Sequence, residues 1–166
     1  MSKLEFAVWD GFPVYEMATS PVAADVYQKH LGEAQLAEEL GYQGYYTIEH
    51  QNSHVGQITS PSLYLCAVAQ HTTNMRIGAM IYQLPVYQPM RLAQEIAMLD
   101  HLSHGRVEFG TGESSAALEL AGFNVAVDQK REMWREATEQ CAKMLTMDPY
   151  PGFEGQYFSM PCRYVV

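Results

Sequence analysis

Short apolar runs alternate with longer amphipathic stretches along this chain, and that alternation predicts its elements. Phe6-Ala7-Val8-Trp9 reads as a strand, ended by Asp10-Gly11 and Pro13. From about Ala24 to Leu40, the residues Tyr27, Leu31, Ala34 and Ala37 recur on one helical face, and Gly41 supplies a natural stop. Tyr45-Tyr46-Thr47-Ile48 is a second, β-rich run. Ser60-Pro61 has the form of an N-cap followed by proline in the first helical turn. The helix it opens carries Leu63, Leu65, Cys66, Val68 and Ala69. Arg76 to Leu84 predicts a third strand, ended by Pro85. Gln88-Pro89 opens a third helix with Leu92, Ile96 and Leu99 at i, i+4 and i+7. Arg106-Val107-Glu108-Phe109-Gly110 predicts a fourth strand, closed by a glycine-containing loop. A fourth helix follows from roughly Gln129 to Met147, with Trp134, Ala137, Cys141 and Met144 as its apolar stripe.

Each strand is followed by a helix, which is βαβ logic and implies an α/β fold with a parallel sheet and right-handed crossovers. The segment from Asp148 to Val166 differs, being rich in proline, glycine and aromatics. It predicts a turn and a short extended piece, not a fifth unit. Two architectures fit four units: a small open doubly wound sheet, or half of an eight-stranded barrel. No GxGxxG loop follows the first strand, so the usual mark of an open dinucleotide-binding sheet is absent. Periodicity alone leaves both open.

Composition narrows the function classes. The 166 residues suffice for a single domain with a real core, and 48% apolar with 17% charged residues argues against disorder. A formal net charge of −9 argues against nucleic-acid or anionic-membrane partners, which need clustered positive charge. No stretch approaches the roughly 20 apolar residues of a membrane span. The three cysteines, Cys66, Cys141 and Cys162, form no CxxC pair, and their odd number fits a reducing cytoplasm.

Particular residues then favour the barrel. Glu49-His50 ends the second strand, Arg76-Ile77-Gly78 opens the third, and Pro89-Met90-Arg91-Leu92-Ala93 opens the third helix. Leu99-Asp100-His101-Leu102-Ser103-His104-Gly105-Arg106 leads into Val107-Glu108-Phe109-Gly110-Thr111-Gly112-Glu113-Ser114. In this order and spacing, from Leu4 to about Phe158, the chain resembles the bacterial luciferase-like family of flavin-dependent monooxygenases. The resemblance implies the N-terminal half of a TIM (β/α)8 barrel, residues 1–166 forming one domain of about four units that ends before the fifth strand. The final Arg163-Tyr164-Val165-Val166 is then expected to reflect truncation and not a native half-barrel. A half-barrel exposes two strand edges, so self-association into a homo-oligomer is expected.

The resemblance also implies FMN as cofactor, with reduced FMN supplied by a separate flavin reductase and O2 acting on a small organic substrate such as an aldehyde. A deazaflavin-dependent reductase of the same barrel, and a catalytically incompetent fragment that only associates with other chains, are the alternatives. His50 lies where barrel active sites lie, at the C-terminal end of a strand, and is implied as the acid/base residue beside the flavin. Glu49 is expected either to orient that loop or to be structural. Many relatives carry a second histidine where Gln51 stands. His50 and His54 have metal-pair spacing, but Asn52-Ser53 between them argues against a helix, so no metal site is expected.

A cis peptide between non-prolyl residues is implied near Met80-Ile81, where the backbone presses against the flavin ring; periodicity alone reads a regular buried strand. Thr111, Gly112, Glu113 and Ser114 are implied as the cofactor loop, whose small residues let backbone N–H groups approach. Here the chain departs from its relatives. Luciferase and many others place an arginine that binds the flavin phosphate where Glu113 stands, and luciferase has a reactive cysteine at Gly112. A carboxylate repels a phosphate, so this chain must hold one otherwise, and light emission is disfavoured. Trp9, Asp10 and Phe12 read as rim residues, either lining a substrate pocket or simply packing. Arg106 reads as structural.

Overall fold

A computed structural model describes residues 4–162 except 21, 54 and 55. Four parallel strands form one sheet in the order β1-β2-β3-β4: β1 (Ala7–Asp10), β2 (Gly44–Thr47), β3 (Arg76–Gln83) and β4 (Val107–Gly112). The expected helices follow them as α2 (Ala23–Glu39), α3 (Pro61–His71), α4 (Pro89–Ser103) and α6 (Lys130–Thr146). Two short helices, α1 (Val14–Thr19) and α5 (Ala117–Ala121), lie in the connections after β1 and β4. Neither is long enough to declare itself by periodicity.

The alternation of a strand decides which residues meet the helices. Tyr45, Ile77 and Ala79 turn outward and join Leu65, Val68, Leu92, Ile96, Ala137 and Cys141 in the buried core. The other face carries Trp9, Tyr46, Gly78 and Glu108 in register across the sheet. Arg76 ties that face together, pairing with Glu108 at 2.9 Å and with Glu5 at 2.7 Å, while the Tyr46 hydroxyl donates to Glu108.

Arg106 is structural, as its place predicts. Its guanidinium donates to the carbonyls of Ala69, Thr72, Met75 and Ser103 and to Thr72 Oγ1, at 2.6 to 3.2 Å. It thereby satisfies carbonyls left open at the end of α3. α4 ends with His104 at φ 60° and Gly105 at φ 81°, the Gly105 N–H returning to Asp100 O at 2.9 Å.

The structure departs from expectation at two places. Ser60 stands at the N-cap of α3 without a side-chain cap bond, whereas Gln88 caps α4 by accepting from Arg91 N at 2.9 Å. β4 continues through Thr111 and Gly112, because parallel pairing with Tyr82 and Gln83 resumes beyond an irregularity in β3. The segment after α6 is a two-stranded antiparallel hairpin, β5 (Phe153–Glu154) and β6 (Ser159–Met160), which agrees with a turn and short extended piece. The terminal residues 163–166 lie outside the described residues.

Candidate active site at the C-terminal ends of the strands

His50 follows β2, its N–H donating to Ile58 O at 3.1 Å. Its Nδ1 lies 2.8 Å from Glu119 Oε1 in α5, and its side chain is about a quarter exposed where that of Glu119 is almost fully buried. With Glu119 ionised, the hydrogen sits on Nδ1, which leaves Nε2 with a lone pair. The other oxygen of Glu119 accepts from Gln83 Nε2 at 2.6 Å.

Gln83 joins this pair to Glu49. Its Nε2 also donates to Glu49 O at 2.7 Å, and its backbone N–H donates to Glu49 Oε2 at 3.0 Å. Glu49 Oε1 accepts from Gln51 Nε2 at 2.7 Å, and the same amide reaches Thr59 O at 2.7 Å. Glu49 is thus buried and serves as a brace between the ends of β2 and β3. Burial pushes its carboxyl up to about 6, with the negative charge of Glu119 adding to the effect; hydrogen bonds from Gln83 N, Gln51 and Tyr87 oppose it. Gln83 Oε1 is buried and meets no donor among the described residues.

The peptide between Met80 and Ile81 is cis, at the position expected. Pairing of β3 with β4 is interrupted between Ala79 and Tyr82, and Met80 is half exposed there. Two glycines of β4 permit the close approach beside it. A Cβ on Gly110 would stand 2.4 Å from Ala79 O, and one on Gly112 would stand 2.5 Å from Ile81 Cδ1.

The rest of the expected cofactor loop divides. Thr111 turns toward α6, its Oγ1 accepting from Trp134 Nε1 at 3.1 Å and lying 3.3 Å from Thr138 Oγ1. Ser114 is buried at φ 64°, its carbonyl accepting from Lys130 Nζ at 2.5 Å. Glu113 accepts from Arg131 Nε and Nη2, both at 3.1 Å, with Lys130 Nζ 3.8 Å away. Arg131 holds this carboxyl below its usual range. Two cations thus stand against one carboxylate, and the local charge is net positive despite Glu113.

Of the expected rim residues, only Trp9 is exposed, at the edge of the sheet. Asp10 and Phe12 are buried against α2: Asp10 pairs with His30, and Phe12 stacks on the His30 ring at 3.9 Å. Their polarity and position gave no hint of a histidine eighteen or more residues away on α2. His54 lies outside the described residues, and among those described no group of three or more His, Cys, Asp or Glu could hold a metal ion. Glu119 and Gln83 were not anticipated. The one available signal was a lone carboxylate within the apolar run Ala116-Ala117-Leu118-Glu119-Leu120-Ala121, which marks an acid destined for burial with a partner.

The profile of the family described as luciferase-like monooxygenase matches residues 4–165. This chain belongs to that family. It is 36% identical over 138 residues to an uncharacterised protein of Sinorhizobium fredii, the match covering 83% of this chain and 39% of that protein. Among solved structures, the monooxygenase RslO1 from Streptomyces bottropensis superposes with a TM-score of 0.91 at 26% identity, covering 98% of this chain and 49% of that one. The oxygenating constituent of 3,6-diketocamphane monooxygenase from Pseudomonas putida, solved in complex with FMN, superposes with a TM-score of 0.83 at 22% identity, covering 93% and 42%. The luciferase-like chain described here therefore spans less than half the length of these relatives. Its four parallel units correspond to that portion of their TIM barrel, which selects the barrel over the open doubly wound sheet.

Proposed function

We propose that this chain is the part of a flavin-dependent monooxygenase that carries the acid/base histidine and one wall of the flavin site. The reading rests on one observation above all: His50, held by buried Glu119, stands at the same strand ends as the half-exposed Met80, where Gly110 and Gly112 let β4 pack closely on Ala79 and Ile81. Two features fit FMN. A phosphate needs positive charge, which Lys130 and Arg131 supply beyond what Glu113 consumes. The buried acceptor Gln83 Oε1 meets no donor among the described residues.

Bound reduced FMN would supply the activation of O2, with a separate reductase delivering it and a small organic molecule such as an aldehyde as substrate. The residues of this chain bind, orient and move protons. Glu119 fixes the His50 tautomer, so that Nε2 takes or gives a proton toward the open face. Glu49 and Gln83 keep Glu119 in place. Glu49 touches no open surface and is a positioning residue. A cytoplasmic setting and a homo-oligomer complete this proposal.

A second reading has its own support. β1 and β4 are the edges of the sheet, and Leu4, Phe6 and Trp9 at β1 are all more than half exposed. A chain that only associates with others would use those edges. Gel filtration after incubation with FMN or a deazaflavin separates the readings. FMN co-eluting with the protein supports the monooxygenase, and retention of the deazaflavin alone supports a reductase. Oligomers free of either flavin support the associating chain.

A further inference from the structure

A buried imidazole joins the end of β1 to the short helix in the connection from β1 to α2. His30 on α2 is buried, its Nδ1 2.7 Å from Asp10 Oδ2 and its Nε2 2.9 Å from Glu16 Oε2. Asp10 ends β1, and Glu16 is in α1. We propose that His30 is a pH-operated latch that fixes α1 over the end of β1 while the imidazole is doubly protonated and frees α1 when it is neutral.

Both ring nitrogens face carboxylates, which only accept. An imidazolium donates to both. A neutral imidazole has one N–H, so one nitrogen then directs a lone pair at a carboxylate oxygen. The surviving bond is the one to Asp10, which is further anchored by Phe12 N at 3.2 Å and by the Tyr45 hydroxyl; Tyr45 is itself 3.0 Å from Tyr64 OH. Glu16, on a six-residue helix nearer the surface, is met besides by exposed side chains, Lys29 at 3.0 Å and the Tyr15 hydroxyl at 3.5 Å. The bond to Glu16 is the one that breaks.

Every group facing the imidazole bears on this. Asp10 comes from β1, Glu16 from α1, Glu33 from α2 itself with Oε2 3.4 Å from Nδ1, and Lys29 balances Glu16; the hydroxyls of Tyr45 and Tyr64 stand behind Asp10. Asp10, Glu16 and Glu33 against Lys29 leave two net negative charges around the ring. Burial alone would lower the pKa of His30, but Asp10, then Glu16 and Glu33, outweigh it, and the net direction is upward. The pKa values of Asp10 and Glu16 are both lowered. The sign follows. The latch holds below the raised pKa of His30, opens as pH rises through it, and also opens in acid as the two carboxylates protonate below their usual values.

The latch lies beside the site. A Cβ on Gly56 would stand 3.1 Å from Gly11 O and 3.1 Å from His50 Cδ2, so the connection that α1 closes packs one residue away from the His50 ring. Opening would loosen the rim next to His50. That consequence rests on the proposed function, whereas the latch itself does not.

The test follows the imidazole and α1 directly. Side-chain NMR of His30 between pH 5 and 9 is expected to give a midpoint above 6.5, the ordinary histidine value. Hydrogen exchange at the Glu16 and Ser20 amides, corrected for intrinsic rates, is expected to lose protection above that midpoint, by at most about tenfold per pH unit for one proton. In Glu16→Gln the midpoint falls and protection is low throughout. In His30→Gln protection is low and independent of pH. A midpoint at or below 6.5, or protection that is unchanged through it, overturns the latch. Should His30→Gln fail to fold, Glu16→Gln carries the same decision. Neither readout involves flavin, so failure here leaves the flavin reading untouched, and failure of the flavin reading leaves the latch standing.

Discussion

Glu49 offers a prediction whose size follows from the structure. Its carboxyl is buried and displaced from 4.5 to about 6. Each tenfold change in a proton equilibrium is worth about 1.4 kcal/mol, so ionising Glu49 costs the folded chain about 2 kcal/mol more than it costs the unfolded chain. The unfolded chain releases this proton first as pH rises. Stability from Glu49 is therefore full below pH 4.5, falls between 4.5 and 6, and is lost above that range. Glu49→Gln never ionises. Its amide meets the donors Gln83 N, Gln51 and Tyr87 less well than a carboxylate does, but that penalty is independent of pH. Urea unfolding of the two proteins at pH 4.5 and 7.5 isolates the proton-linked part, because every other titrating group is shared. The variant is expected to gain about 2 kcal/mol on the wild-type protein between those pH values. A difference between the two proteins that stays constant with pH would refute the reasoning, and would mean that Glu49 is solvated or paired in a way the network does not show.

Further outcomes follow from other contacts. Arg106→Met removes five hydrogen bonds and leaves four carbonyls to be re-satisfied, so it is expected to destabilise by about 3 kcal/mol in urea unfolding; Arg106→Lys should recover part of that. An unchanged midpoint would show that water replaces the guanidinium freely. Glu119→Leu removes the acceptor at His50 Nδ1 and should move the neutral ring from Nδ1–H toward its ordinary Nε2–H form, as read from imidazole nitrogen shifts. A wild-type ring that is already Nε2–H contradicts the assigned role of Glu119.

Much of the fold was legible because its signals are local. Tyr27, Leu31, Ala34 and Ala37 mark the buried stripe of α2, and Ala137, Cys141 and Met144 mark that of α6, since helical periodicity carries burial directly. What was not legible depends on distant partners. β4 was expected to end at Gly110, but its last residues are strand only because β3 pairs with them after its irregularity. Asp10 and Phe12 looked like rim residues because nothing local to them points to His30. Glu113 looked repulsive to a phosphate because the two cations that answer it arrive seventeen and eighteen residues later, at the start of α6. The place of His50 just after β2 and the cis Met80-Ile81 peptide followed from the resemblance, whereas the contacts of Glu119 and Gln83 did not, since a carboxylate or amide in an apolar run does not say which partner it will meet.

The proposed flavin site lies around His50, Met80 and Gly112. Anaerobic titration of the 166-residue protein with reduced FMN, followed by flavin absorbance, tests it. A saturable change is expected, weakened in Gly112→Val, whose side chain would displace Ile81, and in His50→Ala. No saturable change up to ~100 µM FMN, a Kd weaker than about −5.5 kcal/mol of binding, would overturn it and leave the associating chain and the deazaflavin-dependent reductase as the readings that stand.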